Sequence, residues 1–414
     1  MKPRKFVMLV VLVTIVSNAW TQTTLEACRE KAKNNYPLVK LHGLIEKANA
    51  YSIDNLNRTY WPQLSVSGRA TYQSDVTATP FYTPPKDQFQ VVAELSQILW
   101  DGGETAARKK IEKSSATVEK SKLDVDLYTL NDRVDQLCFG VLLLEGQLAQ
   151  LDILRGELRS NAERVEAYIA NGVANQTDLD AILVEEVNAR QRSISLRASR
   201  GSFMDMLALF MGEPLSGDTV FVRPSEDYPT SVPDPLHMPE VALLEARNNV
   251  LVQRELAVKA STMPKLGVFA QGLFGQPGLD AMVSGPTLNG LVGLRVSWNT
   301  APLYMKENSL KALAVERQVI DIQKDVYLFN KNIELNQLMD EIGKLRELLE
   351  GDSELIVLRG RLKKAAEAKL ANGALSVTDL LREIDAESLA NQERLLHEIQ
   401  LQMAIRQLRT AANY

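Results

Sequence analysis

The residues able to do chemistry are few and scattered. Two cysteines, Cys28 and Cys138, and three histidines, His42, His237 and His397, lie far apart in the 414-residue chain, with no metal-ligand spacing. The carboxylates are spread along segments rich in Leu, Ala, Glu, Lys, Gln and Arg, where charges usually form solvated helix faces. No catalytic, cofactor-binding or metal-binding residue is assigned, and the chain does not read as an enzyme. Two acidic residues do stand in a pattern. Ala170, Asn171 and Gly172, four residues, then Thr177, Asp178 and Leu179 return as Ala371, Asn372 and Gly373, four residues, then Thr378, Asp379 and Leu380, a shift of 201. Glycine at a helix end supplies a left-handed turn, and aspartate can cap the helix that follows.

The elements around these turns repeat as well. Pro62, Leu64 and Val66 return as Pro264, Leu266 and Val268, a shift of 202, and Leu99, Trp100 and Asp101 are echoed by Ser297, Trp298 and Asn299, a shift of 198. Three landmarks in one order at nearly one offset make the chain a tandem duplication. The first repeat, 23–212, holds a helix, a strand hairpin at 63–99, a long helix at 103–169, a tip turn at 170–177 and a helix at 178–211. A connector at 213–238 carries Pro214, Pro224, Pro229, Pro233 and Pro235, which break helix. The second repeat, 239–414, has a helix, a hairpin at 265–298, a long helix at 302–370, a tip turn at 371–378 and a helix at 379–412.

The long helix of the first repeat carries a seam spaced by fours and threes: Leu123, Leu127, Leu130, Val134, Leu137, Val141, Leu144, Leu148, Leu151, the exception Arg155, Leu158, Ala162, Val165 and Ile169. That period calls for a coiled-coil partner along its length. The second long helix repeats the idea with Leu328, Leu335, Leu338, Ile342, Leu345, Leu349 and Ile356, interrupted by Lys331 and Asp352. A rod from Gly103 to Ile169 is roughly 100 Å long at 1.5 Å per residue. The helices flanking it, the first from Thr24 to Tyr60, total about the same length and can lie end to end beside it.

With 47 Lys plus Arg against 52 Asp plus Glu, a formal charge of -5 excludes a basic nucleic-acid binder, and the 45% hydrophobic content excludes disorder. Lys2, Arg4 and Lys5, the apolar run Phe6 to Val16, then Ser17, Asn18 and Ala19 read as a secretory signal peptide within residues 1–22, and Glu26 before Cys28 argues against lipid attachment. No later stretch approaches eighteen consecutive apolar residues, so entry into a membrane requires strands. Leu64, Val66, Gly68, Ala70 and Tyr72 alternate with polar residues, as do Leu288, Gly290, Val292, Leu294, Val296 and Trp298, while Asp87–Leu99 and Lys265–Gly275 alternate less cleanly. The segments form two hairpins, each strand long enough to cross a bilayer when tilted. An ordinary soluble sheet fits the alternation too, but four strands leave two open edges that lipid does not tolerate, so several chains must share one barrel.

These residues resemble the TolC-like outer membrane efflux protein family, the outer membrane factors. The resemblance rests on Thr24, Leu25, Glu26, Cys28, Ala32, Asn34, Asn35 and Pro37 in the opening helix, on Leu99, Trp100, Asp101, Gly102 and Gly103, and on Pro239 and Glu240 followed by an Ala-rich helix to Pro264 and Leu266. It implies a mainly α fold with a β membrane portion, a long antiparallel coiled-coil α-barrel, and a homotrimer whose four strands per chain complete a 12-stranded β-barrel. It places the chain in the outer membrane of a Gram-negative bacterium with a periplasmic extension. It implies a passive conduit for efflux or type I secretion, with a periplasmic adaptor and a proton-driven or ATP-driven inner-membrane pump as partners, and neither cofactor nor nucleic acid. Lipid-facing positions are then Leu64, Val66, Tyr72, Leu288, Val292, Leu294 and Trp298. The tip turns, Gly172, Val173, Ala174 and Gly373, Ala374, Leu375, become adaptor contacts, and Asp379, Arg382 and Asp178 the periplasmic gate. Asp379 matches an acidic position facing the passage, where three copies attract cations. The chain departs from the family in having Arg382 where a second acid often follows, and Leu370 where a Tyr often precedes the Gly. Capping alone is the other reading of both aspartates. A soluble periplasmic coiled-coil adaptor or scaffold is the alternative for the whole chain, and the sequence does not name a cargo.

Counting along antiparallel helices also puts Cys28 and Cys138 at similar height. Export permits a disulfide between them, and two small packed thiols is the preferred reading, since height does not fix facing.

Overall fold

The structure, a computed structural model, describes residues 22–76, 80, 83–172, 174–217, 219–224, 235–280, 283 and 285–412. The expected signal peptide up to residue 21, Val173, Pro229 and Pro233 lie outside the described residues. In chain order the elements are β1 (Gln22–Thr23), α1 (Leu25–Asn35), α2 (Val39–Arg58), β2 (Gln63–Tyr72), β3 (Asp87–Trp100), α3 (Glu104–Ala170), α4 (Gln176–Met211), β4 (Val220–Phe221), α5 (Pro239–Ala260), β5 (Lys265–Gln276), β6 (Thr287–Ser297), α6 (Ala301–Ala371) and α7 (Val377–Ala411). They are mostly helix. Packing groups them into two units, one from residues up to 36 with 130–232 and 337–410, the other from 37–129 and 233–336 with 411 onward.

The expected opening helix from Thr24 to Tyr60 is two helices. Pro37 has no N–H to donate and disfavours helical backbone in the residue before it, and Tyr36 is accordingly extended (φ -61°, ψ 129°). Short α1 is then free to dock separately. Asn35 at its end donates to the carbonyls of Leu209 (3.4 Å) and Phe210 (3.2 Å), which the end of α4 leaves without helical partners.

In the first unit the apolar residues form two clusters. One joins Leu25, Cys28 and Ala32 of α1 to Val134, Cys138 and Val141 of α3, Met204 and Leu207 of α4, and Leu395 and Ile399 of α7. The other joins Leu158 and Val165 of α3 to Leu179 and Ile182 of α4 and Leu380 and Ile384 of α7. The polar interruptions of the seams are paired. Asp352, nearly buried, meets Nδ1 of His397 at 2.7 Å, Lys331 meets Glu334 at 2.9 Å, and Arg155 turns to Asp152 at 3.7 Å. Asp135 is also buried; it accepts from Arg29 Nε at 2.6 Å, and the guanidinium reaches on to Thr410 Oγ1 at 2.9 Å. Burial pushes the Asp135 carboxyl above its ordinary value, with Arg29 pulling the other way.

One described helix, α3, contains a stretch long and apolar enough to cross a membrane. The expectation that nothing after the leader would qualify is corrected to that extent. Leu130, Val134, Cys138, Phe139, Val141 and Leu142 of this helix are spent on the first core cluster.

The second unit holds an antiparallel sheet in the order β2-β3-β5-β6, two hairpins joined through β3 and β5. The β3-to-α3 junction shows why Asp101-Gly102-Gly103 stands there. Asp101 accepts from the Gly103 N–H (3.0 Å), the Thr105 N–H (2.7 Å) and the Tyr60 hydroxyl (2.9 Å), capping α3. Gly102 has φ +68°, and a Cβ there would stand 2.3 Å from Cβ of Met263. At the corresponding place in the second half, Asn299 accepts from the Ala301 N–H at 3.1 Å.

Candidate functional site

The site has two parts, the faces of the sheet and the two helix tips. Strand register decides the first. Leu64 opposes Leu95, Leu95 opposes Ala270, and Ala270 opposes Val292; Gly68, Val91, Phe274 and Leu288 form another such row. Directly opposed residues share a face. One face therefore carries Leu64, Val66, Gly68, Ala70 and Tyr72, then Phe89, Val91, Ala93 and Leu95, then Leu266, Val268, Ala270, Gly272 and Phe274, then Leu288, Gly290, Val292, Leu294 and Val296. It is apolar across these rows, and its polar members are Gln97 opposite Val268 and, at the far end, Asp87 opposite Tyr72 and Gln276 opposite Phe89. The sequence showed this on β2 and β6 but not on the central strands, because Val92, Phe269 and Leu273 on the opposite face blur their alternation.

The seven positions expected on the greasy face lie on it or, for Trp298, continue it just past β6. They stay open, from 58% exposed at Trp298 to 80% at Val292. Aromatic residues gather at both ends of the strands. Trp61, Trp100 and Trp298 stand at one end, and Tyr72, Phe89 and Phe274 at the other, the two phenylalanine rings 6.0 Å apart. A register shift between Ile98 and Trp100 places Trp100 opposite Leu266, on the apolar face. From Leu288 to Val296 the band runs roughly 27 Å along the strand at about 3.4 Å per residue.

The other face is mainly polar, with Ser65, Ser67, Arg69 and Thr71 on β2 and Gln88, Gln90, Glu94 and Ser96 on β3. Arg295 reaches Glu94 at 2.7 Å and lies 4.6 Å over the Phe269 ring. Among the described residues β2 and β6 are the edges of this sheet, each hydrogen-bonded along one side only.

At the tips, Gly172 and Gly373 have φ +73° and +69°. Gly373 N–H donates to Leu370 O (2.9 Å) and Ala374 N–H to Lys369 O (2.9 Å), a Schellman closure that lets α6 stop and α7 begin. Both following helices begin two residues before the aspartates that the sequence suggested as caps, because Asn175 and Ser376 hold the cap positions. Asn175 accepts from the Asp178 N–H (3.1 Å) while Asp178 accepts from the Asn175 N–H (3.1 Å). Ser376 Oγ accepts from the Asp379 N–H (3.1 Å) and donates to Asp379 Oδ2 (2.7 Å). Asp178 and Asp379 are thus third-position members of the cap. Asp379 also meets Arg382 at 3.5 Å, with its own side chain 44% exposed and that of Arg382 74%.

The other tip residues divide. Gly172, Gly373 and Ala374 are exposed, while Ala174 and Leu375 lean into the second core cluster; Val173 lies outside the described residues. One feature near this cluster had no sequence signal, because its partners come from three helices. Lys363 of α6 lies 2.7 Å from Glu157 of α3 and also pairs with Glu387 of α7. Burial works to lower its pKa, but the two carboxylates outweigh burial and raise it. No group of three His, Cys, Asp or Glu suited to a metal occurs among the described residues.

No family model matches the chain, and no curated protein matches it by sequence. Solved structures do match by fold. The outer membrane protein VceC of Vibrio cholerae is 13% identical, with 93% of this chain and 95% of that one covered and a TM-score of 0.67. The CmeC outer membrane channel of Campylobacter jejuni is 14% identical, covering 94% and 85%, with a TM-score of 0.65. The open state of the MtrE outer membrane channel of Neisseria gonorrhoeae is 13% identical, covering 94% and 88%, also at 0.65. The chain has the fold of these outer membrane channels over nearly its whole length.

Proposed function

We propose that this chain is one third of a trimeric outer-membrane channel, a passive conduit for efflux or type I secretion in a Gram-negative bacterium. The observation that carries the proposal is the four-stranded sheet, mainly apolar across one face, mainly polar across the other and open at both edges. Water would reject the first face, and lipid would reject the open edges. Three copies joined β6 to β2 close a 12-stranded barrel, lipid outside and water inside, which satisfies both.

The helices continue the passage into the periplasm, and the second half of the chain is a duplicate of the first. The tip turns at Gly172 and Gly373 meet a periplasmic adaptor that couples the conduit to an inner-membrane pump. Asp379 lines the narrow end, its charge partly offset by Arg382. The helical coiled coils suit a soluble adaptor equally, but such a protein has no use for an apolar wall of this breadth.

Envelope fractionation followed by planar-bilayer recording tests the reading. The expected result is an outer-membrane oligomer that conducts ions. Release of the protein with soluble periplasm, or a pure protein that inserts without conducting, refutes it.

A further inference from the structure

We propose that Cys28 and Cys138 close a disulfide that staples α1 to α3 in the mature protein. The inference rests on the export reading above, since it needs an oxidising compartment.

These are the only two cysteines of the chain, 110 positions apart, so neither has a competing partner. Both are free thiols in the first core cluster, 0% and 2% exposed, and each perturbs the other's ionisation. The helices that carry them are held at this level by separate contacts. Arg29, next to Cys28, binds Asp135, one turn before Cys138, and Thr410 Oγ1 takes a further proton of the same guanidinium at 2.9 Å. Ala32 and Val134, one turn away on either helix, are fully buried in the same cluster. A register slip that parted the sulfurs would have to break that ion pair inside the protein.

The pair is also unequal. The neighbouring Cys138 lowers the pKa of Cys28, whereas Cys138 is itself raised by Cys28 and by burial. That inequality belongs to the folded core, whereas the oxidant meets the pair before the core forms, so chain order sets the sequence: Cys28, made first, attacks first. Its thiolate attacks the disulfide of a periplasmic thiol–disulfide oxidoreductase, expels one of that protein's sulfurs and forms a mixed disulfide. Cys138, deprotonated, then attacks the sulfur of Cys28 and expels the second. The two thiol protons end on the oxidant's two sulfurs, which also gain the electron pair. Exchange must precede burial. Both cysteines lie in the first half of the chain, while Leu395 and Ile399, which complete the cluster, come from the last helix, so the thiols are accessible to the oxidant until α7 docks.

The test is maleimide-polyethylene glycol labelling of full-length protein from membranes, denatured without reductant. The expected result is no adduct on the wild type, two after reduction, and one on unreduced Cys28→Ser or Cys138→Ser. Two adducts on the unreduced wild type overturn the proposal. Fractionation of the same cells separates this outcome from failure of the export reading, which shows as unprocessed protein in the cytoplasm. In that event the reduced chain is refolded from urea with glutathione disulfide, and closure of the pair supports the proposal while persistence of two labelled thiols overturns it.

Discussion

Val292 and Leu291 are neighbours on β6 that point to opposite faces of the sheet, so arginine at each asks which face meets lipid. Val292 is in the row Leu64, Leu95, Ala270, midway between the aromatic ends, and is 80% exposed; Leu291 is 44% exposed on the polar face. If the apolar face were simply solvated, Val292→Arg would change stability by no more than about 0.5 kcal/mol, as at most surface positions. Against the middle of a bilayer the same arginine costs about 2–4 kcal/mol per chain. At 1.36 kcal/mol per decade that is roughly 30-fold to 1,000-fold in the folding equilibrium of each chain. The assay is refolding of urea-denatured protein into lipid vesicles, with the urea midpoint and the yield of assembled oligomer as readouts. Val292→Arg should fail or fold at a much lower urea midpoint, and Leu291→Arg should stay near wild type. Equal behaviour of the two variants would refute the assignment of faces and with it the barrel.

Three further outcomes are expected. Asp379→Ala and Asp178→Ala each lose a third-position contact to the cap and a favourable charge at a helix N-terminus, worth about 0.3–1 kcal/mol, but only Asp379→Ala should weaken cation preference in planar-bilayer reversal potentials; unchanged preference removes Asp379 from the gate. Gly102→Ala, with φ +68° and a Cβ 2.3 Å from Met263, should lose about 2–5 kcal/mol, whereas Gly201→Ala, with nothing within 4 Å, should gain about 0.5–1 kcal/mol, both read as shifts in urea midpoint. Because burial raises the Asp135 pKa, the folded chain holds this proton to higher pH than the unfolded chain. Its contribution therefore favours folding at low pH and is lost as pH rises from the ordinary carboxylate range through the raised value. Asp135→Asn should flatten that part of the stability-against-pH curve, and parallel curves for the two proteins would contradict it.

Much of the fold was legible because its signals are local. Period-two alternation marked β2 and β6, glycine marked the tips, and the seam marked α3. Asp101 and its two glycines were legible as a junction, though not as a cap that also takes the Tyr60 hydroxyl. Signals were lost where the answer depends on a distant partner. The apolar face of β3 and β5 emerges only once register sets Phe89, Val91, Ala93 and Leu95 beside Leu64 and Val66. Lys363 reads as one more helix lysine until two other helices bring Glu157 and Glu387 to it. The break at Pro37 has a local signal, but the residues on either side favour helix and mask it. At the tips the turn was legible and the cap was not, since Asn175 and Ser376 compete with the aspartates that follow them.

A closed barrel requires three chains to complete its wall. Native mass spectrometry of the protein released from its own membrane lipid measures this directly. The prediction is a particle of three identical chains and no smaller folded species. A lone folded subunit, with the edges of β2 and β6 satisfied inside one chain, would contradict it.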